Sequence, residues 1–217
     1  MISSSLVVLL FTLNPKTSVV MARTMFAPGI LWLCGVSLEI RGKENLSNDE
    51  SYVFVANHLS YLDIPVLFRA IPHGLHFVAK KELKFVPFIG WYMFATGMIF
   101  VDRSNRQKAI ASLDRAGKLI KKGKDVLMFP EGTRSRTGNV AAFKKGPFML
   151  ASKADIAVAP VAVVGTDKVM SPKSFVIKPY KVKINIGKPN RIKGDDIKSF
   201  IEFNRAEIIK LQNEISE

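Results

Sequence analysis

From residue 50 onward, short runs rich in β-branched and aromatic residues alternate with amphipathic stretches, and this alternation restricts the chain to an α/β fold. The strand candidates are Tyr52–Ala56, Leu75–Ala79, Met98–Val101, Asp125–Phe129, Ala157–Val164 and Lys181–Ile186. Ser104 followed by Gln107 reads as a capping box that opens a helix with Ile110, Leu113, Ala116 and Ile120 on one face. Lys118, Lys121 and Lys122 then lie near its C-terminal end, where the helix dipole favours cations. A final helix from about Asp195 carries Ile197, Phe200, Ile201, Ile208 and Leu211 at helical spacing. The expected architecture is a mixed central sheet flanked by helices, with no repeat and no linker dividing it.

The first forty residues are of a different kind. Apolar runs Leu6–Leu13 and Met25–Ile40 are separated by Asn14, Pro15, Lys16 and Arg23. As a helix the first run reaches only about 12 Å at ~1.5 Å per residue, against a hydrocarbon core of about 30 Å. The second is interrupted by Pro28, Gly29 and Gly35 and carries Glu39, and no Lys or Arg precedes the first run as a signal peptide requires. Residues 1–40 are therefore expected to form two membrane-associating helices lying in one leaflet, and residues 41–217 the main domain. Burial of both helices in a soluble core is the alternative.

At 217 residues, 48% of them hydrophobic, the chain suffices for one substantial core. A net charge of +14 calls for an anionic partner: nucleic acid, an acidic membrane or a phosphorylated substrate. The lone Cys34 allows no intrachain disulfide and reads as a small packing residue.

Only three histidines are present. His58 follows the apolar run Val53-Phe54-Val55-Ala56 and Asn57, where a buried strand ends and open α/β sheets place their ligands. Asp63 reads as the N-cap of the following helix, with Pro65 in its first turn. On one continuous helix the two residues would stand about 140° apart, so they meet only across a turn. With such a turn the carboxylate accepts the imidazole Nδ1 proton and Nε2 faces substrate, the base and orienter of a triad. The bare spacing equally describes a helix cap beside a packed histidine.

Further motifs in order decide between these. Asn57-His58-Leu59-Ser60-Tyr61-Leu62-Asp63 resembles the N-H-x-S-x-x-D signature of the glycerolipid acyltransferases related to bacterial lysophosphatidate acyltransferase. Lys80-Lys81-Glu82-Leu83, Pro87, Gly90 and the run Gly97–Arg103 resemble that family's second block, Phe129-Pro130-Glu131-Gly132-Thr133-Arg134-Ser135 its third, and Val158-Ala159-Pro160-Val161 its fourth. The resemblance covers residues 57 to about 161. It implies an enzyme of phospholipid synthesis that transfers a fatty acyl group from an acyl thioester to the sn-2 hydroxyl of lysophosphatidic acid. His58 and Asp63 are then catalytic. Lys80, Arg103, Thr133, Arg134 and Lys144 hold the acceptor phosphate, and Asn57, Ser60, Glu131, Gly132, Ser135 and Pro160 support the motifs.

Chemistry supports the basic set independently, since strand ends deliver Lys80, Arg103 and the Glu131–Ser135 turn to one edge and a guanidinium binds phosphate bidentately. No covalent acyl-enzyme, bound cofactor or metal is expected; acyl-CoA or acyl-carrier protein enters as co-substrate. Backbone amides near Gly132 are the candidate oxyanion donors. The acceptor is an anionic lysophospholipid, with glycerol 3-phosphate or another lysolipid as alternatives. The expected location is the cytoplasmic face of a membrane, monotopic or peripheral.

Rival readings fit less well. A serine hydrolase built on Ser60 lacks the G-x-S-x-G elbow. Gly117–Asp125 departs from the P-loop in glycine spacing and places Asp125 at the Ser/Thr position. Pro72–His76 has no acidic or cysteine partners for a metal and reads as a loop. A nonenzymatic basic membrane- or nucleic-acid-binding protein is the remaining alternative, but no nucleic-acid-binding module is recognisable, so nucleic acid is not expected as a partner.

Overall fold

The run Tyr52–Ala56 is buried along its whole length, as happens to a strand covered on both faces. The computed structural model describes residues 19–87, 89–102, 106–174, 176–192, 194 and 196–216. This run is β2 of a seven-stranded sheet with β1 (Val36–Arg41), β3 (Leu75–Lys80), β4 (Ile99–Val101), β5 (Asp125–Met128), β6 (Ala157–Val164) and β7 (Tyr180–Ile186). The order is β1-β7-β6-β2-β5-β3-β4, and every neighbouring pair is parallel except β6 with β7. The mixed α/β sheet expected from the sequence is present.

Alternate residues of β2 feed two separate cores. Tyr52, Phe54 and Ala56 join Leu31 of α1 (Ala27–Leu33) and Val66, Leu67 and Phe68 of α2 (Asp63–Ala70), and Met93 of α3 (Ile89–Ala95) packs against the same core. Val53 and Val55 join Ala116 and Ile120 of α4 (Arg106–Ile120), Phe148 of α5 (Gly146–Ala154) and Ile208 and Leu211 of the C-terminal helix (Ile197–Ser216). That last helix opens at Asp196, whose carboxylate accepts the Ser199 N–H at 3.0 Å. Its apolar spacing is borne out, as is that of Leu113, Ala116 and Ile120 on α4. Ser104, the expected cap of α4, and Asp195 lie outside the described residues.

The second apolar run differs from expectation. A π-helical turn, Ala22–Phe26, leads into α1, which stops at Leu33 rather than continuing to Ile40. Gly35 adopts φ +64° there, and its N–H bonds the Trp32 carbonyl at 3.0 Å. An L side chain disfavours that left-handed conformation, so helix gives way to chain reversal. Residues 36–41 then form β1, with Val36, Leu38 and Ile40 turned to the core shared with α1 and α2. The sheet thus begins inside the segment assigned to membrane-associating helices, and Ala22, Ala27 and Leu31 are buried in it. Leu6–Leu13 lies outside the described residues. Among the described residues no helix is long and apolar enough to cross a membrane.

Pro160 sits within β6, in register with Val55 of β2. Val158, two residues earlier, directs its N–H to Asn190 at 2.7 Å, so the N–H that proline lacks would also point to that side. There the β7 ladder starts only at Val161–Ile186, and Gly187 instead donates to the Pro160 carbonyl at 2.8 Å. A Cβ on Gly187 would come within 2.9 Å of the proline ring. Pro160 therefore shapes this interruption in the ladder.

Parallel pairing brings the C-terminal ends of β2, β3, β4, β5 and β6 to one edge, and antiparallel β7 starts from it. Just past β2, the buried Asn57 extends the ladder with its side chain, donating to the Val163 carbonyl and accepting the Val163 N–H, both at 2.8 Å. Asn57→Ala orphans both groups. It should lower the unfolding free energy by about 2–4 kcal/mol, read as a lower urea midpoint at unchanged m; an unchanged midpoint would show that Val163 finds other partners.

Candidate active site

The six residues after β2 do not continue it. His58 to Leu62 turn back, the Asp63 N–H bonds the Ser60 carbonyl at 3.3 Å, and α2 begins. The N-cap position belongs to Leu62, and Asp63 is the first helical residue, so its expected capping role is corrected. Its wholly buried carboxylate points back into the turn instead. Oδ2 takes the N–H of Leu59 at 2.7 Å and of Ser60 at 2.9 Å and lies 2.7 Å from His58 Nδ1. Oδ1 takes the hydroxyl of Thr166, which follows β6 at the head of α6 (Thr166–Val169).

The contact fixes the imidazole's tautomer. An oxygen already accepting two amide protons offers His58 only an acceptor, so the neutral ring carries its proton on Nδ1 and Nε2 is the basic nitrogen. The ring stacks on Phe129 with centroids 3.9 Å apart and planes at 14°, and its side chain is 17% exposed. One face is thereby covered and one edge locked by Asp63.

The loop after β5 is fastened to the same histidine through its backbone. The Glu131 carboxylate accepts the His58 N–H at 2.9 Å and the Ala141 N–H at 3.0 Å, while the His58 carbonyl accepts the Ser135 N–H at 2.7 Å. Burial raises the Glu131 pKa, against the lowering effect of those amide bonds. A raised carboxylate contributes stability at low pH that is lost as pH rises through the raised value, so the ionised form of Glu131 is the costlier one to bury. Glu131 is thus a fastener of the two loops.

The basic residues divide. Thr133, Arg134 and Ser135 line a cavity of about 600 Å³ together with Glu131, Arg136 and Lys173. The Arg134 guanidinium lies 3.7 Å over the ring of Tyr61, three residues from His58, and its Nη1 is 3.5 Å from the Pro172 carbonyl. Across the turn, Lys144 and Gly132 line a second cavity of about 250 Å³ with Val78, Val101, Met128 and Phe129. Gly132 has φ +77°, a left-handed conformation that favours glycine, and Lys144 Nζ lies over it, 2.7 Å from where a Cβ would stand. Lys80 ends β3 but lines neither cavity, and its Nζ is 3.4 Å from Glu82. Arg103 lies outside the described residues.

Ser60 is buried, donates to the Met170 carbonyl at 2.7 Å and accepts the Leu62 N–H at 3.3 Å, a structural use of the hydroxyl. Gly117 to Ile120 are the end of α4 and Asp125 the start of β5, so that glycine-rich segment presents a helix C-terminus rather than the N-terminus a phosphate loop needs. His73 is buried 3.1 Å from Asp125, and His76 belongs to β3, in line with the strand candidate Leu75–Ala79 rather than the loop read for Pro72–His76, and accepts from Lys124 at 3.2 Å. Cys34 is buried, which pushes its thiol pKa up and suits the packing role.

The sequence pattern of the family described as Acyltransferase matches residues 37–164, from β1 to the end of β6. The chain belongs to the acyltransferase family. Relatives of this chain include the 1-acyl-sn-glycerol-3-phosphate acyltransferase of Saccharomyces cerevisiae, 40% identical over 189 residues, which are 84% of this chain and 62% of that protein. The protein of the same name from Chlamydomonas reinhardtii is 39% identical over 171 residues, 74% of this chain and 51% of its own. The chain thus spans little more than half the length of these relatives. The crystal structure of the 1-acyl-sn-glycerophosphate (LPA) acyltransferase PlsC from Thermotoga maritima superposes with a TM-score of 0.82 at 28% identity, covering 93% of this chain and 80% of that one.

Two residues of this candidate site carry no motif signal as site members in the sequence. Thr166 lies beyond the last motif, and its only signal is its place just after a strand ending at the ligand edge. Phe129 was read as a strand terminus, although a ring beside a strand-end histidine is suited to stack on it. Asp63→Asn keeps the shape but offers an N–H where the histidine and two amides need an acceptor. It should lower kcat by about 10³–10⁴-fold with little change in KM and an unchanged circular dichroism spectrum; a loss confined to KM would place Asp63 in acceptor binding instead.

Proposed function

We propose that the chain transfers a fatty acyl group from acyl-CoA or acyl-carrier protein to the sn-2 hydroxyl of lysophosphatidic acid, giving phosphatidic acid. The observation that carries this is the 2.7 Å contact between His58 Nδ1 and Asp63, which leaves Nε2 as a base at the sheet edge. The names borne by the relatives support the acceptor. The hydroxyl oxygen attacks the thioester carbonyl as its proton passes to His58 Nε2. The tetrahedral intermediate then expels the thiolate, which takes that proton from the imidazolium, so no covalent enzyme intermediate forms. The Gly132 N–H bonds the Phe129 carbonyl at 3.1 Å, so oxyanion stabilisation falls to other donors of the turn.

The cavity lined by Thr133, Arg134, Ser135, Arg136 and Lys173 suits the acceptor phosphate. Arg134, stacked on Tyr61, is pre-positioned for it at little further entropic cost. Lys144 and Arg103 complete the basic set in this reading, with Lys80 more peripheral. We place the protein on the cytoplasmic face of a membrane, peripheral or monotopic. The segment before β1 supplies attachment, which the exposed Val20, Met25, Trp32 and Leu33 support.

His58→Ala should reduce kcat/KM for acyl transfer by at least about 10³-fold in a folded protein, and near-normal turnover would remove His58 as the base. Arg134→Ala should raise KM for lysophosphatidate by about 10–100-fold while changing transfer to a neutral monoacylglycerol far less. Equal losses on both acceptors would count against a phosphate contact.

A further inference from the structure

The exposed large apolar side chains are unevenly placed. The helices on one face, α4, α5 and the C-terminal helix, contribute only Phe203 among the described residues. The others belong to the N-terminal helix, to the turn after β2, to the stretch 83–94 and to the approach to β7. In 83–94, Phe85 is 79% exposed, Phe94 62% and Trp91 55%, with Leu83 and Val86 also exposed.

Sheet register puts two of these groups at the edge where His58 emerges. β3 reaches that edge at Lys80 and runs directly into the 3-10 helix Lys81–Phe85. At the other end Val36 pairs with Tyr180, and β7 starts beyond the end of β6, so Trp32 and Leu33 lie at the same edge. β1 and β3 are five places apart in the sheet, about 24 Å at ~4.8 Å per spacing, with β2 and His58 between.

We propose that Lys81–Ala95 is a second membrane-seating element, which sets Phe85, Trp91 and Phe94 into the headgroup boundary of an anionic bilayer at the opposite end of the sheet from the N-terminal helix. This rests on the reading of the substrate as a membrane lipid. The chemistry of the segment fits that occupant: aromatic side chains favour the headgroup level, and cations beside them meet anionic lipid. Lys84 Nζ rides 4.6 Å over the Phe94 ring, while the segment's one acid, Glu82, is paired with Lys80 at 3.4 Å. A single anchor lets a protein tilt about it. Two contacts flanking β2 hold the catalytic edge against the surface that carries the acceptor.

The chain has two tryptophans, Trp32 and Trp91, so Trp32→Phe leaves Trp91 as sole reporter. Mixed with phosphatidylglycerol and phosphatidylcholine vesicles and no substrate, its emission should shift to the blue and be quenched by brominated acyl chains. Phe85→Ser with Phe94→Ser should weaken vesicle partition by about tenfold or more, leaving turnover of a short-chain, monomeric acceptor unchanged. The proposal is overturned if Trp91 emission stays constant while the protein sediments with vesicles, or if no vesicle binding occurs. It is also overturned if the emission is already blue in a vesicle-free dimer, which would make a second copy the occupant. The quenching arm uses the native segment and no acyl transfer, so it reads independently of the double variant's folding and of the acceptor assignment.

Discussion

The buried carboxylate of Asp63 is the interaction on which this site depends. It gathers donors from separate parts of the chain: the amides of Leu59 and Ser60, the imidazole of His58 and the hydroxyl of Thr166 beyond β6. A buried anion is tolerated only when its acceptor positions are filled by well-placed donors. Here filling them bends the chain after β2, ties β2's end to β6's end and selects the Nδ1–H tautomer. The fold of the turn and the basicity of Nε2 are consequences of one hydrogen-bonded group.

Glu131 plays the corresponding part for the loop after β5, joining His58 to Ala141 through backbone amides. The two acids differ in how they are compensated. Asp63 accepts a side-chain hydroxyl and an imidazole as well as amides, whereas Glu131 has two amides against burial that pushes its pKa up. What it supplies is the position of a loop: Phe129, the Gly132 turn and Arg134 lie on the segment that this fastening holds to His58.

Strands covered on both faces were the most legible elements, because Tyr52–Ala56 and Ala157–Val164 are unbroken apolar runs of strand length and match β2 and β6 residue for residue. β1 was hidden by the same criterion. Val36, Leu38 and Ile40 alternate with Ser37, Glu39 and Arg41, but the preceding apolar stretch drew them into a helix that Gly35 in fact ends. In the site, the His58–Asp63 pairing was legible only through the motifs around it, because the bare spacing also describes a capped helix beside a packed histidine. The cap assignment failed because helix position alone does not say whether an acid serves its own helix or the loop before it. Thr166, 103 residues from Asp63, has no local signal. Lys80 illustrates the opposite limit: a strand end brings a residue to the edge, while the direction of a long, exposed side chain is set by neighbours such as Glu82.

The division of surface chemistry gives the site an orientation. Phe129 covers one face of the imidazole and Asp63 holds its Nδ1 edge, which leaves Nε2 as the nitrogen that a hydroxyl would approach in the proposed reaction. The turn that carries Phe129 has a polar, cationic cavity on one side and a more apolar one on the other, both opening at the sheet edge. An amphipathic acceptor with an anionic head meets matching surfaces only when it arrives in one orientation relative to that edge. In the proposed reaction, orientation of the whole protein against the surface that carries its acceptor would add to positioning of the reacting oxygen, as the hydrogen bonds of Asp63 would at the atomic scale. Among the described residues, exposed aromatic groups gather toward the edge where His58 emerges, and α4, α5 and the C-terminal helix carry only Phe203, an arrangement that would fix such an orientation.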